Sequence, residues 1–212
     1  MTCKICNFDT IPWEDSQTKK TYHYCQNCEC ISLDSVYYLS LIDEKKAYGN
    51  HHNSLENEGY VQMFENFLDF FWEEITCNKK CLDFGSGPTP VLSELLMRRG
   101  AQVTCYDKFY HPDTSFEQHR YDFITSTEVF EHLSDPLSIL SLFHRILTPN
   151  GIVALMTLFH QNNASHFEGW WYKRDHTHIT FYTPKTIAMM AEKCGFDIIK
   201  CDDKRIVVLR KR

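Results

Sequence analysis

Four cysteines near the start of the chain stand in two pairs of equal spacing, Cys3-x2-Cys6 and Cys25-x2-Cys28, with 18 residues between the pairs. Each pair can wrap two thiolates around one ion as a tight knuckle, and two knuckles complete a tetrahedral site. The stretch between them holds Pro12, Trp13 and Tyr22 to Tyr24, enough for a short hairpin but too little apolar mass for a core. Such a segment needs a bound metal to fold. A closed set of thiolates suits structural zinc, so residues 1–35 are read as a zinc-binding module held by Cys3, Cys6, Cys25 and Cys28. Cys30 and His23 are close enough in sequence to replace a ligand. Neither pair opens a helix after a strand, as a redox C-x2-C motif does. The other cysteines, Cys77, Cys81, Cys105, Cys194 and Cys201, are scattered.

Residues 36–54 read as a linker, ending in a polar loop, Tyr48-Gly49-Asn50-His51-His52-Asn53, whose paired histidines are site candidates. A helical stripe follows, with Tyr60, Met63, Phe64, Phe67, Leu68, Phe71, Trp72 and Ile75 at three- and four-residue spacing. Beyond it, strand and helix alternate. Strands are expected over 80–84, 102–106, 121–125 and 152–158. Helices are expected from Val91 to the stop at Gly100, over 136–147, and from the Thr183-Pro184 cap to Gly195. Pro149-Asn150-Gly151 reads as a turn, and 196–201 with 205–209 as a hairpin across Asp202-Asp203-Lys204. Alternation of this kind gives a mainly parallel sheet covered by helices, the final hairpin adding one antiparallel strand.

The first of these strands runs into Leu82-Asp83-Phe84-Gly85-Ser86-Gly87-Pro88. Glycines let the chain turn sharply off a strand and let a ligand approach the backbone. Asp107 ends the next strand, where a carboxylate can accept from both hydroxyls of a ribose. A dinucleotide fingerprint would place a third glycine where Pro90 stands, so an adenosyl ligand without phosphates fits better than NAD.

With these residues in place, the chain resembles the class I S-adenosylmethionine-dependent methyltransferases. The matching segments are the Gly85 turn, Tyr106-Asp107, Tyr121-Asp122-Phe123-Ile124, Glu128-Val129-Phe130-Glu131-His132-Leu133 and Leu147-Thr148-Pro149-Asn150-Gly151, within residues 55–212. The resemblance implies an α/β, Rossmann-like sheet of seven strands, one antiparallel, with helices on both faces. It implies S-adenosylmethionine as cofactor, its methionine moiety near Asp83, Gly85, Ser86 and Gly87 and its ribose on Asp107, beside Lys108. Tyr48 and Tyr60 would contact it, and Ser126, Thr127 and Glu128 would border the methyl group. The cysteine head in front of this fold is partly similar to the zinc-containing sugar C-methyltransferases. Ribosomal RNA methyltransferases with an N-terminal zinc module are another parallel.

Alignment of an acceptor and removal of its proton are what the protein must add. Glu131 and His132 follow the fourth strand. His176 and His178 lie in Trp170-Trp171-Tyr172-Lys173-Arg174-Asp175-His176-Thr177-His178, two apart and so on one side if the segment is extended. Either histidine could act as a base near neutral pH, His178 being favoured. Glu128, Glu131 and His132, with a histidine of the later loop, also resemble the divalent-metal set of the small-RNA 2′-O-methyltransferases, although this spacing is common in the superfamily without metal.

The expected activity is methyl transfer to a small-molecule or sugar-containing acceptor. The alternatives are a cofactor-binding protein that uses the zinc module to dock a partner, and an RNA methyltransferase. A formal charge of −6 argues against nucleic acid. The longest strongly apolar run, residues 151–159, is far short of the ~20 residues of a membrane span. Residues 1–4 start no apolar signal segment, so a cytoplasmic location is expected.

Overall fold

Apolar residues alternate along the central strands, and the two sets they form face two different layers of helices. A computed structural model describes residues 1–48, 54–75 and 79–212. In the order of the chain its elements are strands β1 (Ile11–Glu14), β2 (Thr21–Tyr24) and β3 (Ile31–Leu33), helices α1 (Leu41–Tyr48) and α2 (Glu58–Phe71), then β4 (Lys80–Phe84), α3 (Val91–Arg98), β5 (Gln102–Tyr106), β6 (Tyr121–Thr127), α4 (Pro136–Ile146) and β7 (Leu147–Met156). The remainder are α5 (Ala164–Gly169), β8 (Thr180–Phe181), α6 (Pro184–Cys194), β9 (Phe196–Cys201) and β10 (Ile206–Lys211).

The main sheet has the order β5-β4-β6-β7-β10-β9. Strands β5, β4, β6 and β7 are parallel, and β10 is antiparallel to both of its neighbours. On β6, β7 and β10, Phe123, Ile152, Ala154 and Val208 face one cluster with Phe67, Leu68 and Phe71 of α2 and Leu95 and Leu96 of α3. Ile124, Val153, Leu155 and Val207 face the other, with Leu140 and Phe143 of α4 and Ile187 and Met190 of α6. The helix ends follow the local chemistry. Asn57 caps α2, Thr183 and Thr186 form a capping box on α6, and Gly195 closes α6 in the left-handed conformation.

Among the described residues the sheet has six strands, not seven. The connection 107–120 between β5 and β6 accounts for the difference. It is just long enough for one crossover, holds a 3-10 turn over Thr114–Gln118, and leaves no chain for a further edge strand. The turn expected at Pro149–Gly151 is a bulge within β7, where the register with β6 shifts. Helix α1 falls where a linker was expected. Its Leu41 and Ile42 are exposed, so no apolar stripe announces it.

The N-terminal segment is not a separate bead. Strands β1, β2 and β3 form an antiparallel sheet whose fourth strand is β8, contributed by the chain after β7. Tyr22, Ile31 and Leu33 share a buried cluster with Phe167, Trp170, Tyr172 and Phe181.

Candidate active site

A cavity of about 560 Å³ opens at the carboxyl ends of β4, β5 and β6. One end is made by the turn after β4. Gly85 has φ of 89°, and a Cβ placed on it would lie 2.1 Å from Val129 Cγ2, so only glycine fits. The amides of Gly85 and Ser86 donate to the Tyr106 carbonyl at 2.7 and 3.0 Å. Asp107 accepts from the Gly87 amide at 3.1 Å through one oxygen and from the Phe109 and Tyr110 amides through the other. Its carboxylate is thereby fixed at the rim, with Lys108 beside it paired to Glu44 at 2.5 Å. Asp83 is buried and accepts from Ser93 Oγ at 2.7 Å and Thr125 Oγ1 at 3.1 Å. Burial pushes its carboxyl up to about 6, against the lowering effect of those hydroxyls.

The other end gathers acids and imidazoles. Glu128 has φ of 52° and donates its amide to the Met156 carbonyl, a strained turn off β6 that aims its side chain at the cavity. The Tyr172 hydroxyl lies 2.9 Å from Glu128 Oε2 and 2.6 Å from Glu131 Oε1. One hydroxyl proton cannot serve two ionised carboxylates, so this cluster favours retention of a second proton. Burial raises both glutamates, and the neighbouring Glu128 charge raises Glu131 further. His132 Nδ1 donates to the Thr177 carbonyl at 3.0 Å, and His178 Nδ1 donates to the Tyr172 carbonyl at 2.7 Å. Those bonds leave Nε2 as the basic nitrogen of each ring when neutral. The two rings meet edge to face at 4.7 Å, and Tyr48 packs on His132 at 5.1 Å. Burial, then the His178 ring, push His132 down to about 3, so it is neutral at physiological pH.

In the turns beside the N-terminal sheet, Cys3 and Cys28 Sγ lie 3.5 Å apart and Cys6 and Cys25 Sγ 3.4 Å apart, with all four sulfurs within 4.8 Å of one another. A tetrahedral zinc–thiolate site has sulfur–sulfur edges of about 3.8 Å, so the donor set fits zinc. Cys30 is buried next to this group but outside the four, and His23 is engaged with Asp34 at 2.9 Å.

A family model described as a methyltransferase domain matches residues 56–200. The chain belongs to this methyltransferase domain family. Among similar proteins, the ubiquinone biosynthesis O-methyltransferase of Aeromonas salmonicida is 28% identical over 149 residues, 55% of this chain and 62% of the relative. The corresponding protein of Histophilus somni is 30% identical over 127 residues, 47% of this chain and 50% of the relative. The matches thus span about half to three-fifths of those relatives. Of solved structures, the 1,6-didemethyltoxoflavin-N1-methyltransferase of Burkholderia thailandensis superposes with a TM-score of 0.61 at 13% identity, covering 96% of this chain and 99% of that one. The magnesium protoporphyrin IX methyltransferase of Synechocystis PCC 6803 gives a TM-score of 0.53 at 14% identity, covering 81% and 94%. These likenesses show the fold.

In this methyltransferase domain, Asp83, Gly85, Ser86, Gly87, Asp107 and Lys108 line the cavity, as do Tyr48, Tyr60, Thr127, Glu128, His132 and His178. Glu131 lies beneath the cavity and reaches it through Tyr172. Ser126 lies within β6, buried, and Thr127 is its cavity-lining neighbour. His176 is not brought to the cavity. It is exposed, with Nδ1 3.3 Å from Lys20 Nζ, because Asp175 caps a turn through the Thr177 amide and hydroxyl and the segment is not extended. His51 and His52 fall outside the described residues. Sequence reasoning missed Tyr172, Asp175 and Arg205, all of which line the cavity. Tyr172 stands inside the aromatic run that drew attention, but nothing local announces its carboxylate partners. Arg205 stands in the turn just before β10 and carries no sequence signal.

Proposed function

We propose that this chain is an S-adenosylmethionine-dependent methyltransferase with a small-molecule acceptor. One observation carries the reading: a single cavity has a glycine turn and fixed Asp107 at one end and the His132–His178–Glu128 group at the other. S-adenosylmethionine supplies an electrophilic methyl group on a sulfonium. Asp107 accepts from its ribose hydroxyls, and Gly85 and Gly87 leave the backbone open to its methionine moiety. Trp171, Tyr172 and Leu133 wall the acceptor side. His178 takes the acceptor proton on Nε2, with Nδ1 held by the Tyr172 carbonyl in the productive tautomer. His132, kept neutral by burial, supports the same wall without adding positive charge near the sulfonium.

The net charge of −6 favours a small acceptor over a nucleic acid. Cys3, Cys6, Cys25 and Cys28 hold one zinc ion, which is structural because four thiolates leave it no open position. A site of zinc-bound thiolates is kept intact by a reducing compartment, which favours the cytoplasm. No helix among the described residues is long and apolar enough to cross a membrane.

A second reading of the acceptor end is a divalent cation on Glu131, His132 and His178. It is favoured by Glu131 Oε2, a fully buried carboxylate oxygen with no hydrogen-bond partner, and by ligand atoms of the three residues that lie within 4.8 Å of one another. Calorimetric titration of the zinc-loaded protein with magnesium and manganese tests it. Saturable heat that Glu131→Gln abolishes supports the cation; no heat rejects it. The primary reading is tested by transfer of label from methyl-labelled S-adenosylmethionine into a metabolite extract. Tight cofactor binding with no label on any metabolite would leave a binding protein instead.

A further inference from the structure

The chain after β7 carries Tyr172 and His178, and both cysteine knuckles grip it. Lys4, between Cys3 and Cys6, donates to Thr180 Oγ1 at 3.1 Å, and that hydroxyl donates to the Leu133 carbonyl at 2.8 Å. On the other knuckle, the Cys28 carbonyl accepts from Thr186 Oγ1 at 2.8 Å and the Glu29 carbonyl from His160 Nε2 at 2.9 Å. Strand β3 begins three residues after Cys28 and pairs with β8, Ile31 against Phe181 and Ser32 against Thr180. Ile179 joins the two sides. Its carbonyl accepts from the Leu33 amide at 2.9 Å, and its amide donates to the Glu131 carbonyl at 2.8 Å.

A buried ion pair completes the attachment. The Lys173 ammonium bonds the Asp15 carboxylate, and neither side chain is exposed at all. The second oxygen of Asp15 accepts from the Gln17 and Thr18 amides and the Thr18 hydroxyl, so the β1–β2 turn holds the acid in place. Lys173 follows Tyr172 directly. A buried charge held by one partner is a strict positional constraint, because leaving that partner strands the ion.

We propose that the cysteine module is the frame of the acceptor wall, with Asp15 and Lys173 as positioning residues. The metal on the four thiolates fixes the two knuckles, the knuckles and the Asp15–Lys173 pair fix residues 170–181, and these place Tyr172 and His178. The cofactor end is independent of this frame, since Asp83, Gly85 and Asp107 stand on β4, β5 and their turns. The inference rests on the zinc site and acceptor wall assigned above, and it adds that metal loss disassembles the acceptor end first.

Amide hydrogen exchange on the full-length protein tests it without knowledge of the acceptor. Metal content is measured before and after treatment with 1,10-phenanthroline. In stripped protein, residues 1–33 and 170–181 exchange at least tenfold faster, while 80–87 and 121–127 keep their protection and S-adenosylhomocysteine still binds. Protection of 170–181 that survives while 1–33 loosens overturns the frame. Protein that is folded and metal-free as purified refutes the zinc assignment instead, and the second arm then decides the frame alone. In that arm, Asp15→Asn speeds exchange over 171–176 at least tenfold with metal content unchanged, and the 15N signal of His178 Nδ1 shifts as its bond to the Tyr172 carbonyl is disturbed. Asp15→Asn combined with Lys173→Met removes both charges and restores protection and the His178 signal. A single variant as well protected as the wild type, or a double variant no better than the single, contradicts the positioning role.

Discussion

The Tyr172 hydroxyl donates to the buried carboxylate of Glu131 at 2.6 Å, from a loop that the sequence separates from Glu131 by 41 residues. Removing it leaves the buried Glu131 and the half-buried Glu128 without their common partner. Tyr172→Phe is expected to lose about 1–3 kcal/mol of stability, the range for a buried polar group left unpaired. Its affinity for S-adenosylmethionine stays within twofold of wild type. Denaturant unfolding and calorimetry check the two halves, and a variant as stable as wild type would mean that the hydroxyl carries no weight.

Asp83 gives stability a specific pH dependence. Its folded carboxyl is raised from 3.8 to about 6, chiefly by burial. In the window between those values the folded chain binds more protons at this site than the unfolded chain, so this contribution is complete below the unfolded value and is lost as pH rises to about 6. A rise from 3.8 to about 6 corresponds to about 3 kcal/mol. Asp83→Asn removes this contribution. The variant's stability relative to wild type therefore rises between pH 4 and 6, as unfolding curves at several pH values would show. Parallel curves for the two proteins would contradict the assignment.

Gly85→Val is expected to abolish cofactor binding and to destabilise the domain. The added side chain starts 2.1 Å from Val129 and demands a left-handed backbone that a β-branched residue resists. Thermal unfolding and a binding titration read both effects. A variant with unchanged melting temperature and affinity would show that the turn is misassigned.

His178 and His176 should behave oppositely. His178 lines the cavity, whereas His176 is exposed beside Lys20. Once an acceptor is in hand, His178→Ala is expected to lower turnover by about 10²–10⁴, the usual worth of a general base, and His176→Ala to leave it unchanged. Equal losses, or none in either, would remove His178 from the proton-transfer role.

The glycine-turn end of the cavity was legible in the sequence because it rests on local demands. A turn that only glycine can make and an acid at the end of the next strand are both visible as residue types at fixed positions. The four cysteines were legible for the same reason, their spacing being the geometry of the knuckle. The acceptor end was not, because it is assembled over long distances: Tyr172 finds Glu131, and Ile179 finds Leu33, only after the sheet forms. His176 and His178 do not share one side, because one capping aspartate, Asp175, turns the segment that would otherwise be extended. The seventh strand came with the resemblance and fails on connection length. Helix α1 went unseen because its Leu41 and Ile42 face outward and form no apolar stripe.

Titration of S-adenosylhomocysteine into the wild-type protein and into Asp107→Ala in parallel is the most direct test of the adenosyl site. The wild type is expected to bind one equivalent. The variant, which loses charge-assisted bonds worth about 1.5–3 kcal/mol each, is expected to bind at least tenfold more weakly while keeping its melting temperature within a few degrees. No binding to the folded wild type, or equal affinity in the two proteins, would contradict the assignment of this cavity to the adenosyl cofactor.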